Sequence, residues 1–338
     1  MSAVSFIKTF FLSTIALLLS VGALNFFMDP AWTFSHSHRF NNVQGASNER
    51  IQKSNLLHFK KANYDALLLG SSRVTFFNQN DFKNNHVFNY AFSLGMPQEY
   101  APYIDYAKKQ NMQDIKKVYL GVDFFGSNKN FHNDVNPKEV FETIEGCCYR
   151  YRMLFSIDSL KTALFSFKAA LTHNPGYRSY RRNNITMSAP RSEASVKKDV
   201  ENKAIKAYMG DILHYAFNPE YVNPLKQLKE KNPDTQFIVF TTPTSDVYLK
   251  KLFELGHKEA YKQWLTALVD TFGSVYHFMD FNDVTTHYEH YYIDYHHLYP
   301  RYTSWIVDRL EGRDNPKIPQ NFGILLNKEN LQSYLDRI

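Results

Sequence analysis

Two segments at opposite ends of the chain carry residues that can do serine chemistry together. The apolar run Ala66–Leu69 ends in Gly-Ser-Ser-Arg at 70–73, and Asp294 and His297 lie near the other end of the chain. A strand that stops at Gly-Ser-Ser presents a hydroxyl on a tight turn at the carboxyl edge of a sheet, where open α/β sheets bind ligands. An Asp three residues before a His can fix the imidazole tautomer, so that its far nitrogen accepts a serine proton. This pattern predicts a hydrolase or acyltransferase that works through a serine ester.

Each segment also has an ordinary structural explanation. Hydroxyls of Ser71 and Ser72 can cap a helix that follows a strand. Asp294 and His297 can lie in a polar surface loop. The Asp-x-x-His spacing favours His297 over its neighbour His296 as the partner of the serine. We therefore take Ser72, Asp294 and His297 as the predicted catalytic residues.

A metal site is a third possibility, because one stretch is rich in potential ligands: His287, Glu289, His290, Asp294, His296 and His297. A zinc hydrolase built on one helix needs two His residues at i and i+4, with a Glu that acts on the bound water. His287 and His290 have i, i+3 spacing, and the region reads as a loop. We predict that the protein uses no metal and no cofactor.

The elements that must position these residues form an α/β pattern. Five apolar segments are predicted as strands, at residues 64–69, 87–92, 118–125, 236–241 and 275–281. Helices are predicted at residues 49–62, 98–111, 157–171, 196–209, 223–230, 246–254, 259–271 and 301–310. Strands this apolar are typical of the middle of a parallel sheet. The serine then follows the first strand, and Asp294 and His297 follow the last.

The N-terminus predicts export to a membrane. Residues 9–28 carry no charge, and twenty helical residues span about 30 Å, the thickness of a bilayer core. Lys8 before them favours a cytoplasmic N-terminus. Small residues at 21–23 would suit signal cleavage, but the apolar run continues to Met28, which favours an uncleaved anchor. In either case the rest of the chain is exported.

Composition narrows the possible partners. The 338 residues are 44% hydrophobic and 21% charged, with 39 basic and 33 acidic residues and a net charge of +6. This modest, dispersed charge argues against a nucleic-acid partner. The adjacent Cys147 and Cys148 cannot form a disulfide framework, so they do not report the redox compartment.

The predicted organisation has an anchor, a connecting segment, one interrupted domain and an extension. The boundaries are 1–28 for the transmembrane anchor, 29–62 for a stalk and lead-in helix, 63–311 for the α/β domain and 312–338 for the extension. A helical insertion at about 128–233 interrupts the domain and is expected to wall one side of the site. It contains a Tyr/Arg segment at 176–182 that could hold an anionic polymer or lipid headgroups, although the favoured explanation is a solvated face.

Taken in order, these motifs resemble the SGNH-hydrolase superfamily. Its first block, Gly-Asp-Ser, is matched by Gly-Ser-Ser at 70–72, and its last block, Asp-x-x-His, by Asp294 and His297. Residues 89–95 resemble the second block and Gly-Val-Asp at 121–123 the third. The resemblance implies a three-layer α/β/α, flavodoxin-like parallel sheet with Ser72 as the nucleophile. It also implies an oxyanion held by backbone N–H groups of Ser72 and Gly95.

The chain departs from the superfamily pattern at two of these blocks. Asp123 stands where the third block has an amide donor, and a carboxylate there would repel an oxyanion unless it is protonated or turned away. Gly95 lies one residue later than the usual glycine of the second block. We predict that Gly95, Asn89, Asp123 and Arg73 contact the oxyanion or the substrate.

The predicted anchor and the four blocks, with their departures, also resemble a narrower group of proteins. This group is the D-alanyl-lipoteichoic-acid biosynthesis protein family and the related membrane-anchored envelope acyltransferases. The similarity covers about residues 64–125 and 235–311. The teichoic-acid members carry an acid where this chain has Arg73, which favours a different acyl group or acceptor.

The resemblance implies a serine acyltransferase of the cell envelope that acts on an ester-linked acyl group of a glycan or polymer. It would be a single-pass protein of the cytoplasmic (inner) membrane with a periplasmic or extracellular catalytic domain. A membrane-bound O-acyltransferase is the implied partner. A carboxylesterase or deacetylase, or a non-catalytic polymer-binding assembly subunit, are the alternatives that the sequence leaves open.

Overall fold

The computed structural model describes residues 2–60, 63–201 and 212–338. It is an α/β structure with a mostly parallel central sheet, a small antiparallel sheet and one long apolar helix at the N-terminus. The chain divides into two compact units. The first unit comprises Met1–Lys61 and Lys138–Ala189, and the second comprises Ala62–Pro137 and Pro190–Ile338.

The strands, in chain order, are β1 (Gln44–Gly45), β2 (Ala66–Leu69), β3 (Val87–Asn89), β4 (Lys117–Val122), β5 (Ser179–Tyr180), β6 (Thr186–Met187), β7 (Gln236–Thr241), β8 (Ser274–His277) and β9 (Ile324–Asn327). The helices are α1 (Ala3–Met28), α2 (Glu49–Phe59), α3 (Ser72–Thr75), α4 (Pro97–Gln110), α5 (Pro137–Glu145), α6 (Tyr149–Leu154), α7 (Ile157–Thr172), α8 (Glu193–Asp199), α9 (Val222–Glu230), α10 (Asp246–Glu254), α11 (Lys258–Phe272), α12 (Asp283–Thr286), α13 (Tyr288–Tyr291), α14 (Pro300–Leu310) and α15 (Leu331–Arg337). Short 3-10 turns occur at Gln79–Asp81, Phe124–Ser127 and Pro219–Tyr221.

The central sheet belongs to the second unit and has the strand order β3-β2-β4-β7-β8-β9. The pairings from β3 to β8 are all parallel. In β2 all four residues are buried, as expected for a parallel strand that is covered on both faces. The five predicted strands all lie in this sheet. β3 ends three residues earlier than predicted, because the apolar residues Tyr90, Ala91 and Phe92 are buried in the loop that follows it.

The last strand of the central sheet was not predicted from the sequence. β9 lies in the predicted C-terminal extension and pairs antiparallel with β8, from Ser274 opposite Asn327 to His277 opposite Ile324. With four residues at a sheet edge, β9 is too short to show a clear apolar period. The sheet is therefore mixed, and the extension is part of the second unit.

Helices of the second unit cover the sheet largely where the apolar spacing predicts them. Helix α9 packs against α4 and α11, and these helices contribute Leu225, Tyr103 and Trp264 to the core. Helix α14 buries Ile306 and Val307. The helix predicted at residues 196–209 is described only in part, by α8, since residues 202–211 lie outside the described residues. The end of the helix predicted at 49–62 also lies outside them, at residues 61 and 62.

The first unit is built around the C-terminal half of α1. Helix α1 is long and apolar enough, by length and composition, to be a membrane anchor or a signal sequence. It packs against α6 and α7, and β1, β5 and β6 form a small antiparallel sheet beside α7. Helix α7 buries a stripe of small residues, Ser159, Ala163, Ser166 and Ala169. The hydroxyl oxygen of Ser166 accepts the N–H of Gly45 at 2.9 Å, which ties α7 to β1.

The predicted stalk is folded into the first unit. Asp29 and Trp32, which directly follow α1, are buried. The Asp29 carboxylate accepts the N–H of Thr33 at 2.9 Å, and the Gln44 amide donates to the carbonyl of Met28 at 2.9 Å. The polar composition of this segment suggested a solvated linker. Its polar side chains instead satisfy backbone groups inside a packed loop.

The Tyr/Arg segment also turns inward. Arg178 pairs with Glu49 at 3.3 Å, and Arg182 pairs with Asp29. The Tyr180 hydroxyl donates to Glu49. The two arginines neutralise buried carboxylates of the first unit, so they form neither the favoured solvated face nor a free cationic surface for a polymer.

A buried histidine connects the sheet of the second unit to α11. His277 places Nδ1 2.9 Å from Thr241 Oγ1 and Nε2 2.9 Å from the Tyr261 hydroxyl. Because that hydroxyl donates to the Met279 carbonyl, its oxygen accepts from Nε2–H, and Nδ1 accepts from Thr241. Complete burial lowers the pKa of His277 to about 3, so the ring is neutral at neutral pH.

This network predicts a pH-dependent stability. An unfolded histidine has a pKa near 6.5, so between about pH 3 and 6.5 the unfolded chain binds a proton that folded His277 does not. The free energy of unfolding should therefore fall on acidification through this window, with His277 contributing up to about 1.4 kcal/mol per pH unit. Urea unfolding at several pH values measures the slope. His277→Gln should flatten it, whereas the exposed His173→Gln should not; equal slopes for all three proteins would contradict the assignment.

Candidate active site

The turn after β2 carries the predicted nucleophile. Ser71 is the N-cap of α3, and its hydroxyl oxygen accepts the N–H of Arg73 at 3.3 Å. Ser72 is thus the first residue of the helix, where its own N–H has no intrahelical acceptor. Gly70 makes the turn possible, because a Cβ there would lie 2.4 Å from Val74 Cγ2 and 2.9 Å from the Gly121 carbonyl oxygen.

The Asp294–His297 loop is fixed by its own hydrogen bonds. A bridge between Tyr292 and Leu298 closes the loop, and the Ile293 N–H donates to the His297 carbonyl at 2.8 Å. Asp294 Oδ1 accepts the backbone N–H groups of both His296 and His297 at 2.9 Å. The three-residue spacing therefore holds the carboxylate against the backbone that carries the imidazole.

Ser72, His297 and Asp294 form a continuous relay. His297 Nε2 lies 2.9 Å from Ser72 Oγ, and His297 Nδ1 lies 2.9 Å from Asp294 Oδ2. Because the carboxylate can only accept, Nδ1 carries the proton and Nε2 is left to accept the serine proton. The imidazole is buried and packs against the Phe76 ring at a centroid distance of 5.1 Å. This is the arrangement that activates a serine hydroxyl for nucleophilic attack.

Arg73 and Asp123 were predicted to contact the oxyanion or the substrate, but in the structure they pair with each other. Arg73 Nη1 lies 2.7 Å from Asp123 Oδ1, and both side chains are almost completely buried. The Thr242 hydroxyl donates to the same carboxylate oxygen and accepts from Arg73 at 3.2 Å. The guanidinium neutralises the carboxylate, so Asp123 carries no unpaired negative charge that would repel an anion near Ser72.

The Asn89 side chain is hydrogen-bonded to the backbone of α3 and of the residues that follow it. Its Nδ2 donates to the carbonyls of Val74 and Phe77 at 3.1 and 2.9 Å, and its Oδ1 accepts the N–H of Ala91 at 3.1 Å. The side chain is completely buried. Asn89 thus satisfies two backbone carbonyls in and just after α3, and it positions the helix that carries Ser72.

Gly95 approaches the serine turn closely. A Cβ at this position would lie 2.7 Å from the Gly70 carbonyl oxygen, so only glycine fits here without a shift of the backbone. The Gly95 N–H donates to the Phe92 carbonyl at 3.2 Å. An oxyanion would have to compete with that carbonyl for the N–H, and the donor role of Gly95 stays a prediction.

The histidine loop also contains three potential metal ligands. Asp294, His296 and His297 each offer one ligand atom, and these atoms lie within 4.8 Å of one another. Both ring nitrogens of His297 already have partners, so a metal ion would have to displace Ser72 or Asp294 from the imidazole. The absence of a metal in the reaction stays a prediction.

Two residues of the site were missed in the sequence. Thr242 directly follows β7 and completes the Arg73–Asp123 pair. Its position at the carboxyl end of a predicted central strand was the available signal. Arg191 donates to the Ile293 carbonyl at 2.9 Å and pairs with Asp199, which supports the histidine loop. No local pattern could have indicated that contact, since Arg191 and Ile293 are far apart in sequence.

Comparison of the chain with models of known protein families found no match, and comparisons with curated proteins and with solved structures found none. The resemblance to SGNH hydrolases therefore rests on the sequence motifs alone. What can be inferred about the function of this chain comes from those motifs and from the geometry of the site.

Proposed function

We propose that this protein is a membrane-anchored serine acyltransferase that acts on an ester-linked acyl group of a cell-envelope glycan or polymer. The observation that carries the proposal is the hydrogen bond between His297 Nε2 and Ser72 Oγ, with Asp294 on the other ring nitrogen. The motif resemblance to SGNH hydrolases and to the D-alanyl-lipoteichoic-acid biosynthesis family supports the choice of substrate class. It also supports a three-layer SGNH-like version of the observed α/β fold.

In the first half-reaction, Ser72 Oγ attacks the carbonyl carbon of the donor ester while its proton passes to His297 Nε2. The Asp294 carboxylate stabilises the imidazolium that forms. The backbone N–H of Ser72 donates to the oxyanion, joined by Gly95 if its N–H is released from Phe92. The tetrahedral intermediate then collapses, His297 gives its proton to the leaving alkoxide, and the acyl group remains on Ser72 as an ester.

In the second half-reaction, an acceptor hydroxyl attacks the acyl-Ser72 carbonyl. His297 Nε2 takes the proton of that hydroxyl and returns it to Ser72 Oγ as the serine leaves. The acceptor gains the acyl ester, and the enzyme regains its starting state. Water in place of the acceptor would give a carboxylic acid, so exclusion of water separates a transferase from an esterase.

The N-terminal helix supports the cellular part of the proposal. Helix α1, kept uncleaved, would anchor the chain in the cytoplasmic membrane with the residues that follow it outside the cytoplasm. An envelope polymer would then be within reach of Ser72. A membrane-bound O-acyltransferase, which the resemblance implies as a partner, would supply acyl groups across the membrane.

The partition of the acyl group tests this proposal. Purified full-length protein in detergent is mixed with p-nitrophenyl acetate, and we expect a burst of p-nitrophenol together with an acetyl adduct on Ser72 by mass spectrometry. Addition of envelope polysaccharide should then move the acetyl group to the polymer and lower the yield of free acetate. Acetate release that is fast and unaffected by the polymer would establish an esterase. Polymer binding with neither burst nor adduct would establish a non-catalytic subunit.

A further inference from the structure

Helix α7 of the first unit and Phe155, which follows α6, expose an apolar face that the proposed chemistry does not use. Phe155 is 51% exposed, Ile157 is 70% exposed, and Leu164 and Leu171 are 52% and 56% exposed. From Ile157 to Leu171, the side chains at positions 157, 164 and 171 recur every seven residues, so they lie on one side of α7. The opposite side of α7 is the small-residue stripe that packs inside the unit.

The depth of this face can be estimated from α1. The Phe155 ring lies against Gly22, where an added Cβ would be 3.2 Å from Phe155 Cε1. The Asn25 amide donates to the carbonyls of Leu154 and Ser156 at 2.8 and 3.2 Å. The junction between α6 and α7 is therefore level with residues 22–25 of α1.

Lys8 sets the position of α1 in a bilayer. The charged side chain of Lys8 is expected to lie outside the hydrocarbon core of the bilayer. A helix needs about twenty residues to cross that core, so residues 9–28 would span it completely. Gly22 is six residues before Met28 in the helix, so it lies about 9 Å inside the boundary. A side chain packed on Gly22 then lies at the depth of the acyl chains.

We propose that the exposed apolar face of α7 and the turn before it, formed by Phe155, Ile157, Leu164 and Leu171, lies in the outer leaflet of the bilayer that α1 crosses. Helices that lie in the interface bury their apolar side about 5–10 Å deep, which agrees with the depth set by Gly22. Lys161 and Lys168 are exposed on one flank of this face, two helical turns apart, where they can reach anionic headgroups, although Lys161 Nζ also lies 3.1 Å from the exposed Asp158 carboxylate. The first unit would thus rest on the membrane instead of standing above it.

The proposal rests on membrane insertion of α1 and is independent of the acyl chemistry. Single cysteines are introduced into the full-length chain after Cys147→Ser and Cys148→Ser, and are labelled with the fluorophore NBD. The test positions are Ile157→Cys and Leu164→Cys. Leu17→Cys on α1 reports insertion, and Met112→Cys, which is as exposed as Ile157 at 70%, is the matched control in the second unit.

The labelled proteins are reconstituted into vesicles of phosphatidylethanolamine and phosphatidylglycerol. We expect doxyl-labelled lipids to quench the labels at 17, 157 and 164 roughly two-fold or more, and iodide in the water to quench the label at 112. Quenching of the Ile157 and Leu164 labels by iodide, with Leu17 in lipid, would overturn the proposal. Shielding of both labels from lipid and iodide would show a protein partner instead and would also overturn it. A Leu17 label outside the lipid would also overturn the proposal, because α1 would then not cross the bilayer.

Discussion

Ser72→Ala should abolish covalent labelling by a phosphonate probe and lower acyl transfer at least 10³-fold, to about the level left by binding alone. Ser72 Oγ is the hydroxyl that lies 2.9 Å from His297 Nε2. His297→Ala and Asp294→Asn should reduce transfer by similar factors, since the first removes the base and the second no longer fixes its tautomer. Intact-mass analysis measures labelling, and acetyl transfer to envelope polysaccharide measures activity.

Ser71→Ala is the matched control for the first prediction. Ser71 is completely buried, and its hydroxyl caps α3 through the Arg73 N–H. Its loss should cost roughly 1 kcal/mol of stability and leave the phosphonate label in place. Labelling that survives Ser72→Ala and is lost in Ser71→Ala would reverse the assignment. Full transfer by His297→Ala would exclude the relay as the catalytic device.

Arg73→Met should lower the free energy of unfolding by about 3–5 kcal/mol, because it leaves the Asp123 carboxylate buried and unpaired. Both side chains are at most 4% exposed, so water cannot replace the missing guanidinium without opening the core. The double variant Arg73→Met/Asp123→Asn removes both charges and should recover most of the loss. Urea unfolding of the two variants and the parent chain measures the difference.

An exposed ion pair provides the comparison for this stability change. Lys138 and Glu142 lie 3.6 Å apart with side chains 80% and 64% exposed. Lys138→Met should change the free energy of unfolding by less than about 1 kcal/mol. If Arg73→Met were as mild as Lys138→Met, the Arg73–Asp123 pair would not be the buried support of the serine turn. If the double variant were no more stable than Arg73→Met, the loss in the free energy of unfolding would come from the packing of the Arg73 side chain and not from the unpaired Asp123 charge.

The local parts of the site could be predicted from the sequence because they depend on residues a few positions apart. The contact of Asp294 with the His297 ring and backbone is set by a three-residue spacing. The glycine and serines after β2 mark a turn at a strand end, and the apolar content of β2, β4 and β7 marks them as strands of a covered sheet. The length and composition of α1 are likewise properties of one continuous segment.

Other features depend on which segments meet in space. Periodicity and turn chemistry do not predict that Arg73 pairs with Asp123. They also do not predict that the Asn89 amide donates to carbonyls in and just after α3. They also could not show that the polar residues after α1 fold into a buried loop, because the same residues suit a solvated linker. Burial and ion pairing act between elements that are distant in sequence.

The sequence by itself determined the α/β class of the fold, the long apolar helix at the N-terminus and the identity of three residues with the right chemistry. Only the tertiary structure decided that Ser72 and His297, 225 residues apart, lie within hydrogen-bond distance. The physical reason is that a local pattern constrains the backbone over one turn or strand. The distance between two side chains on different elements is set instead by strand order and packing, since parallel strands β2 to β8 bring their carboxyl ends to one edge of the sheet.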